Sequence, residues 1–306
     1  MIEQALKDIE SWVLFYSGAE MPILRQTARR LEQARERIDD VNGRDIAAIV
    51  LQDPLMAVRV LAYIQPYRGR YLRSDITTIG SAVMMLGVEP FFRKFENPLT
   101  IESLLHDEPH ALLGVLQVIR RAQRASHYAH DWAYARHDMN MEEVALAALL
   151  HDLAEVLLWC FAPRLAMKIR SLQQTDHTLR SATAQEMVLN LRLSDVQLAL
   201  CSEWHLPELL KTLMDDANSH LPRVQNVALA VNLARHSANG WDDAALPDDF
   251  TAIEKLLHIS KETLLNRLRL PPEEIALLAS SEESMLSGTP DATPAHSAGT
   301  SPIADK

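Results

Sequence analysis

Apolar residues recur at spacings of three and four through almost every segment of this chain, as in helices that bury one face. Ile2, Leu6, Ile9 and Val13 line up this way, and so do Ile23, Leu24, Ala28, Leu31, Ala34 and Ile38. Composition points the same way. Leu and Ala are abundant, and only nine glycines occur in 306 residues. Ala and Leu are among the least costly residues in a helix, and Gly is among the most costly. The expectation is an all-α, multi-helix protein.

Punctuation residues set the expected boundaries. Pro22 suits a first helical turn. Asn42-Gly43 marks a turn, followed by a helix over about Asp45 to Leu51. Asp53-Pro54 is a start signal, because Asp caps free N–H groups and Pro at the first position has none to satisfy. It predicts a helix to about Ile64. A polar connection leads to a short helix from Ile79 to Leu86, stopped by Gly87. Further helices are expected from about Pro98, over Pro109 to Ala135, and from Met141 through Phe161, where Pro163 interrupts. Five more follow, and Leu268 to Leu278 is the last ordered piece. The reading gives an N-terminal helical lobe over 1–105, a second helical lobe over 106–279, and a disordered tail over 280–306. That tail is rich in Ser, Thr, Pro, Gly and Ala and has too few bulky apolar residues to offset chain entropy.

Charge and motifs exclude several classes. The net charge of −11 repels phosphate backbones, so nucleic acid is not an expected partner. Cys160 and Cys201 are too few for a disulfide framework and read as small buried hydrophobes. The N-terminus has no signal-peptide core, and no run of about 18 apolar residues is apparent. A cytoplasmic protein without a membrane partner is expected. No P-loop, nucleophile elbow or CxxC motif is present.

One polar pair interrupts the most apolar segment. His151 and Asp152 sit in "ALLHDLAEVLLW". Titratable groups are costly to bury alone. Two neighbours on a helix point about 100° apart and can converge on one ion, but a metal needs further ligands. The dyad alone therefore leaves a metal site and a hydrogen-bonded buried pair both open. His127 and His130 share one helix face and read either as a clamp or as surface residues. Arg68, Arg70 and Arg73, with Tyr67 and Tyr71, form a cluster able to bind a partner or an anion, or a plain surface loop.

The chain resembles the HDOD family, helical output domains related to the HD phosphohydrolases, over about residues 20 to 240. The matching pieces occur in order: "IVLQDPLMAVRVLAYIQPY", "ITTIGSAVMMLGVEPFFRK", "MEEVALAALLHDLAEVLLW" and "CSEWHLPELLKTLMD", the last carrying Trp204 and Pro207. The resemblance makes 106–279 an HD-derived lobe and Trp204 a packing anchor. HD hydrolases use an upstream His, the His-Asp pair and a downstream Asp. Here His127 lies 24 positions before His151, and Asn232 stands near the place of the downstream Asp. Asn carries no charge and is a poor ligand for a hard divalent cation. Where many relatives carry a His pair, this chain has Met214-Asp215-Asp216. His127, His151, Asp152 and Asp215 are thus relic ligand candidates, and no bound metal or other cofactor is expected.

The resemblance implies a bacterial, non-catalytic signalling or regulatory output module, a pseudo-hydrolase that acts through another signalling protein in a sensory or cyclic-dinucleotide pathway. Receiver, GGDEF and EAL signatures are missing, so its signal would come from a separate protein. Arg68, Arg70 and Arg73 are the candidate partner surface. The alternative is an active metal-dependent HD-type phosphohydrolase on nucleotides or cyclic dinucleotides, in which a metal would polarise phosphate and activate water.

Overall fold

The computed structural model describes residues 1–65, 75–176 and 178–270, and these are helical apart from turns and one isolated parallel bridge between Ile23 and Thr100. The first half holds α1 (Ile9–Gly18), α2 (Arg25–Arg35), α3 (Gly43–Val50), α4 (Pro54–Ile64), α5 (Ile79–Leu86), α6 (Val88–Lys94) and the single turn α7 (Ile101–Leu104). The long α8 (Pro109–Ala135) follows. Then come α9 (Met141–Leu150), α10 (Leu153–Phe161), α11 (Pro163–Thr175), α12 (Ser181–Leu189), α13 (Leu193–Glu203), α14 (Glu208–Met214), α15 (Pro222–His236), α16 (Leu246–Leu257) and α17 (Lys261–Leu268).

The start signals act as their chemistry requires. The Asp53 carboxylate accepts from Leu55 N at 3.0 Å and Met56 N at 3.1 Å, while Pro54 opens α4. It also accepts from Leu24 N at 2.7 Å, so one fully buried carboxylate caps α4 and fixes the approach to α2. Asn42 and Asp45 form a reciprocal capping box on α3. Gly87 ends α5 with φ +80°, a conformation that penalises any Cβ.

At about 40 Å for its 27 residues, α8 is the axis of the second half. It packs against α9, α10, α11 and α15, and α9 also touches α4, α14 and α15. Gly114 on α8 lets α10 approach closely: a Cβ there would lie 2.5 Å from the Trp159 ring. The buried side chains form one hydrophobic cluster running from Trp12 and Leu55 through Trp132 and Leu149 to Leu233 and Ile253. The first helix does not stay with its sequence neighbours. It packs on α13, and Ile2 N donates to Phe161 O at 2.7 Å.

Several expectations need correction. Ile2 and Leu6 precede α1, which starts at Ile9 behind the Asp8 cap. Pro22 precedes α2, whose N-cap is Leu24. "VEPFFRK" is a helix, because Pro90 falls within its first turn, where a missing N–H costs nothing. The helix expected from Pro98 is only the turn at Ile101. The stretch Met141–Phe161 is long and apolar enough to cross a membrane, against the expectation from sequence. Its most apolar 18-residue window is 78% buried inside the protein, as befits a core element. It is also two helices, broken at the His-Asp pair. Residues 271–306, including the expected tail, lie outside the described residues.

Candidate functional site

His151 is the C-cap of α9 and Asp152 the N-cap of α10. The dyad therefore occupies a helix junction, not a continuous helix. A side chain from another helix makes the junction. In an unbroken helix the Ala154 N–H would donate to the Leu150 carbonyl. Here Ala154 N donates to Gln197 Oε1 at 2.8 Å, and Gln197 Nε2 donates to Leu150 O at 2.9 Å. The Gln197 amide, on α13 and only 3% exposed, is inserted into that bond and satisfies both halves.

Four further side chains surround the dyad. Arg235 on α15 places Nη2 3.2 Å from Asp152 Oδ1, and Arg121 on α8 places Nη2 3.6 Å from Asp152 Oδ2. Arg121 also donates to Glu155 Oε2 at 2.8 Å. His151 Nδ1 lies 3.1 Å from Asp152 Oδ1, and His151 Nε2 faces Asp216 Oδ1 at 3.7 Å. Asp152 and His151 are mostly covered, with side chains 12% and 15% exposed.

The electrostatics follow from this ring of charges. Burial works against the Asp152 carboxylate, but Arg235, His151 and Arg121 outweigh it and hold its pKa well below the usual range. Burial likewise opposes the His151 imidazolium, yet the Asp152 and Asp216 carboxylates raise it to about 9. Contact with His151 lowers Asp216 despite its partial burial. The arrangement is a cross-linked set of ions that ties together α8, the α9–α10 junction, α15 and the turn after α14.

The relic candidates divide accordingly. His151 and Asp152 are at the centre. His127 is exposed on α8, with Tyr128 beside it, and is not among the groups bonded to the dyad. Asp215 caps its own turn, accepting from Ala217 N at 3.0 Å and from Asn218 Nδ2 at 3.2 Å. Its neighbour Asp216 is the one that faces His151. Asn232 is partly exposed on α15, one turn before Arg235. Arg68, Arg70 and Arg73 lie outside the described residues. Sequence reasoning missed Arg121, Arg235, Glu155, Asp216 and Gln197. For Arg235 a signal existed, since residues three apart on a helix share a face with the position expected to hold the downstream Asp.

A divalent cation does not fit this set. Among the described residues no group of three or more His, Cys, Asp or Glu side chains is placed to hold a metal. The carboxylate that would anchor it already faces two guanidiniums, whose charge opposes a second cation. Both cysteines are buried, Cys201 with its Sγ 3.7 Å from Gln197 Nε2, and burial pushes Cys201 up to about 12 and Cys160 higher still. Neither supplies a thiolate.

The sequence profile of the HDOD domain matches residues 21–220. The chain belongs to the HDOD family. That family is related to the HD phosphohydrolase fold, which accounts for the His-Asp pair at the heart of a helical bundle. Arg235 lies beyond the matched segment, on a helix that the HDOD match does not reach. The MmoQ response regulator from Methylococcus capsulatus str. Bath is similar in structure, with a TM-score of 0.62 and 15% identity over 81% of this chain and 98% of that one. A virulence factor from Campylobacter jejuni subsp. jejuni superposes with a TM-score of 0.61 at 19% identity, covering 88% of this chain and 98% of its own. At such identities these likenesses establish the HDOD fold alone. No curated protein matches the sequence.

Proposed function

We propose that this HDOD chain is a non-catalytic signalling or regulatory module, acting in the bacterial cytoplasm by binding another signalling protein and neither nucleic acid nor membrane. One observation carries the reading: Asp152, the carboxylate that would anchor a hydrolytic metal, is bound instead by Arg235 and Arg121. Hydrolysis of this class needs a cation to polarise phosphate and to lower the pKa of attacking water. Two fixed guanidiniums can neutralise a carboxylate, but they offer no open coordination position. The same network gives the module rigidity, because it joins four separate parts of the bundle. The kinship of fold with a protein described as a response regulator accords with a place in signal transduction.

The test is a hydrolysis assay of the full chain on nucleotides and cyclic dinucleotides with added Mg²⁺, Mn²⁺ or Fe²⁺. No metal-dependent phosphate release is expected. Turnover that rises with metal and is lost in Asp152→Ala would overturn the reading and establish a phosphohydrolase.

A further inference from the structure

A second polar site adjoins the first through Arg121, which pairs with Asp152 and also lines a cavity. This partly open cavity of about 90 Å³ is lined by α8, α10, α11, α12 and the start of α13. Its walls include Arg121, Glu155, Trp159, Arg170, Gln173 and Ser181. The lining is unusual for a gap between core helices, because it carries two guanidiniums, two amides and a hydroxyl against one carboxylate.

Two details show that these groups have unused capacity. The Arg121 Nη2 group is committed to Glu155 and Asp152, but its Nε–H is buried and has no hydrogen-bond partner. Such a donor costs about 1–3 kcal/mol unless something accepts from it. Arg170 is pre-positioned: its guanidinium lies 5.1 Å from the centroid of the Trp159 ring and is hydrogen-bonded to Gln117. The ring itself is fixed against Gly114 of α8. Ser181 Oγ accepts from Gln185 Nε2 at 3.1 Å, which leaves its own proton free to donate.

We infer that this cavity binds a small tetrahedral oxyanion of the inorganic phosphate class, held by Arg121, Arg170 and Ser181. Size selects the ligand. Water occupies about 30 Å³ in the liquid, so the space holds roughly three waters or one such anion. Nucleotides and other drug-sized ligands need about 300 Å³ or more. Charge selects it too: Arg121 is shared between Glu155 and Asp152, but Arg170 has no carboxylate partner among the described residues, and guanidinium forks suit oxyanions. The inference goes beyond the proposed function and stands whether or not the His-Asp site is catalytic.

The experiment titrates the full chain with inorganic phosphate, by calorimetry and ³¹P NMR, at constant ionic strength. Saturable one-to-one binding is expected. Arg170→Gln should weaken it by at least about tenfold, the effect of losing a charge-assisted hydrogen bond. Ser181→Asp should abolish it, since a carboxylate at the cavity repels the anion. Ser181 is the first residue of α12, where a negative side chain favours the helix, so this variant should fold as well as wild type. Absence of saturable binding, or binding unchanged in Ser181→Asp, would overturn the inference. So would adenosine monophosphate binding as tightly as phosphate, because the cavity would then not be what sets the ligand.

Discussion

Arg235 Nη2 stands 3.2 Å from Asp152 Oδ1, joining α15 to the first residue before α10. The contact places a fixed protein cation on the carboxylate of an HD pair. Its partners differ in exposure, with the Arg235 side chain 37% exposed and that of Asp152 12% exposed. The two ends should therefore respond differently to substitution. Asp152→Ala leaves Arg121 with Glu155 alone and His151 with Asp216 alone in a largely covered site, and loss of one partner from a buried pair costs about 3–5 kcal/mol. Arg235→Ala removes a partly solvated group and should cost only about 1 kcal/mol. Urea unfolding of both variants measures the difference. Equal costs would mean that the exposed end of the pair carries as much of the network as the covered one.

His151 gives the network a pH signature. Its folded pKa of about 9 exceeds the 6.5 of an unperturbed histidine. The groups facing it are Asp152, Asp216 and, through Asp152, Arg121 and Arg235. A raised pKa means that the stabilisation is fully present below about pH 6.5 and is lost as pH rises through about 9. The shift corresponds to at most about 3 kcal/mol. Unfolding free energies of wild type should fall between pH 7 and 9.5, and those of His151→Gln should fall less. Parallel profiles would place His151 outside the network.

Gln197 should matter more than a single buried amide usually does. With Gln197→Leu, the Leu150 carbonyl and Ala154 N–H lose both partners, at a cost of about 1–3 kcal/mol. Closing the helix would recover the bond only by rotating His151 and Asp152 away from the arginines. The expected readout is a lower urea midpoint together with a His151 pKa that moves back toward 6.5, followed by NMR. A variant that loses stability while His151 still titrates near 9 would show that the junction forms without the inserted amide.

Gly114→Ala tests the approach of α10 to α8. In a free helix this change gains about 1 kcal/mol. Here the new methyl would lie 2.5 Å from the Trp159 ring, and overpacking costs about 1–3 kcal/mol. The clash should win, giving a destabilised protein in thermal melts. A stabilised variant would mean that the helices separate easily.

How much of this was legible in the sequence depended on the range of the interactions. Local chemistry was readable: Asp53-Pro54 and Gly87 fixed the ends of α4 and α5, and Pro109 and Ala135 bound α8 as expected. The junction at His151-Asp152 was not readable, because periodicity runs on through Met141–Phe161 and the interrupting amide comes from Gln197, more than forty residues later. The choice of Asp216 over Asp215 depends on the register of one short turn, in which successive side chains diverge. Arg121 and Arg235 lie about 30 and 80 residues from Asp152 in the sequence, on different helices. Only the fold brings them to opposite oxygens of one carboxylate.

Arginines in place of a metal on Asp152 separate a regulatory module from a hydrolase, and elemental analysis of the full chain, purified without chelator, distinguishes the two. Wild type should carry no stoichiometric Fe, Mn, Zn or Mg, and Asp152→Ala should be no different. About one equivalent of metal in wild type that disappears in Asp152→Ala would contradict that expectation.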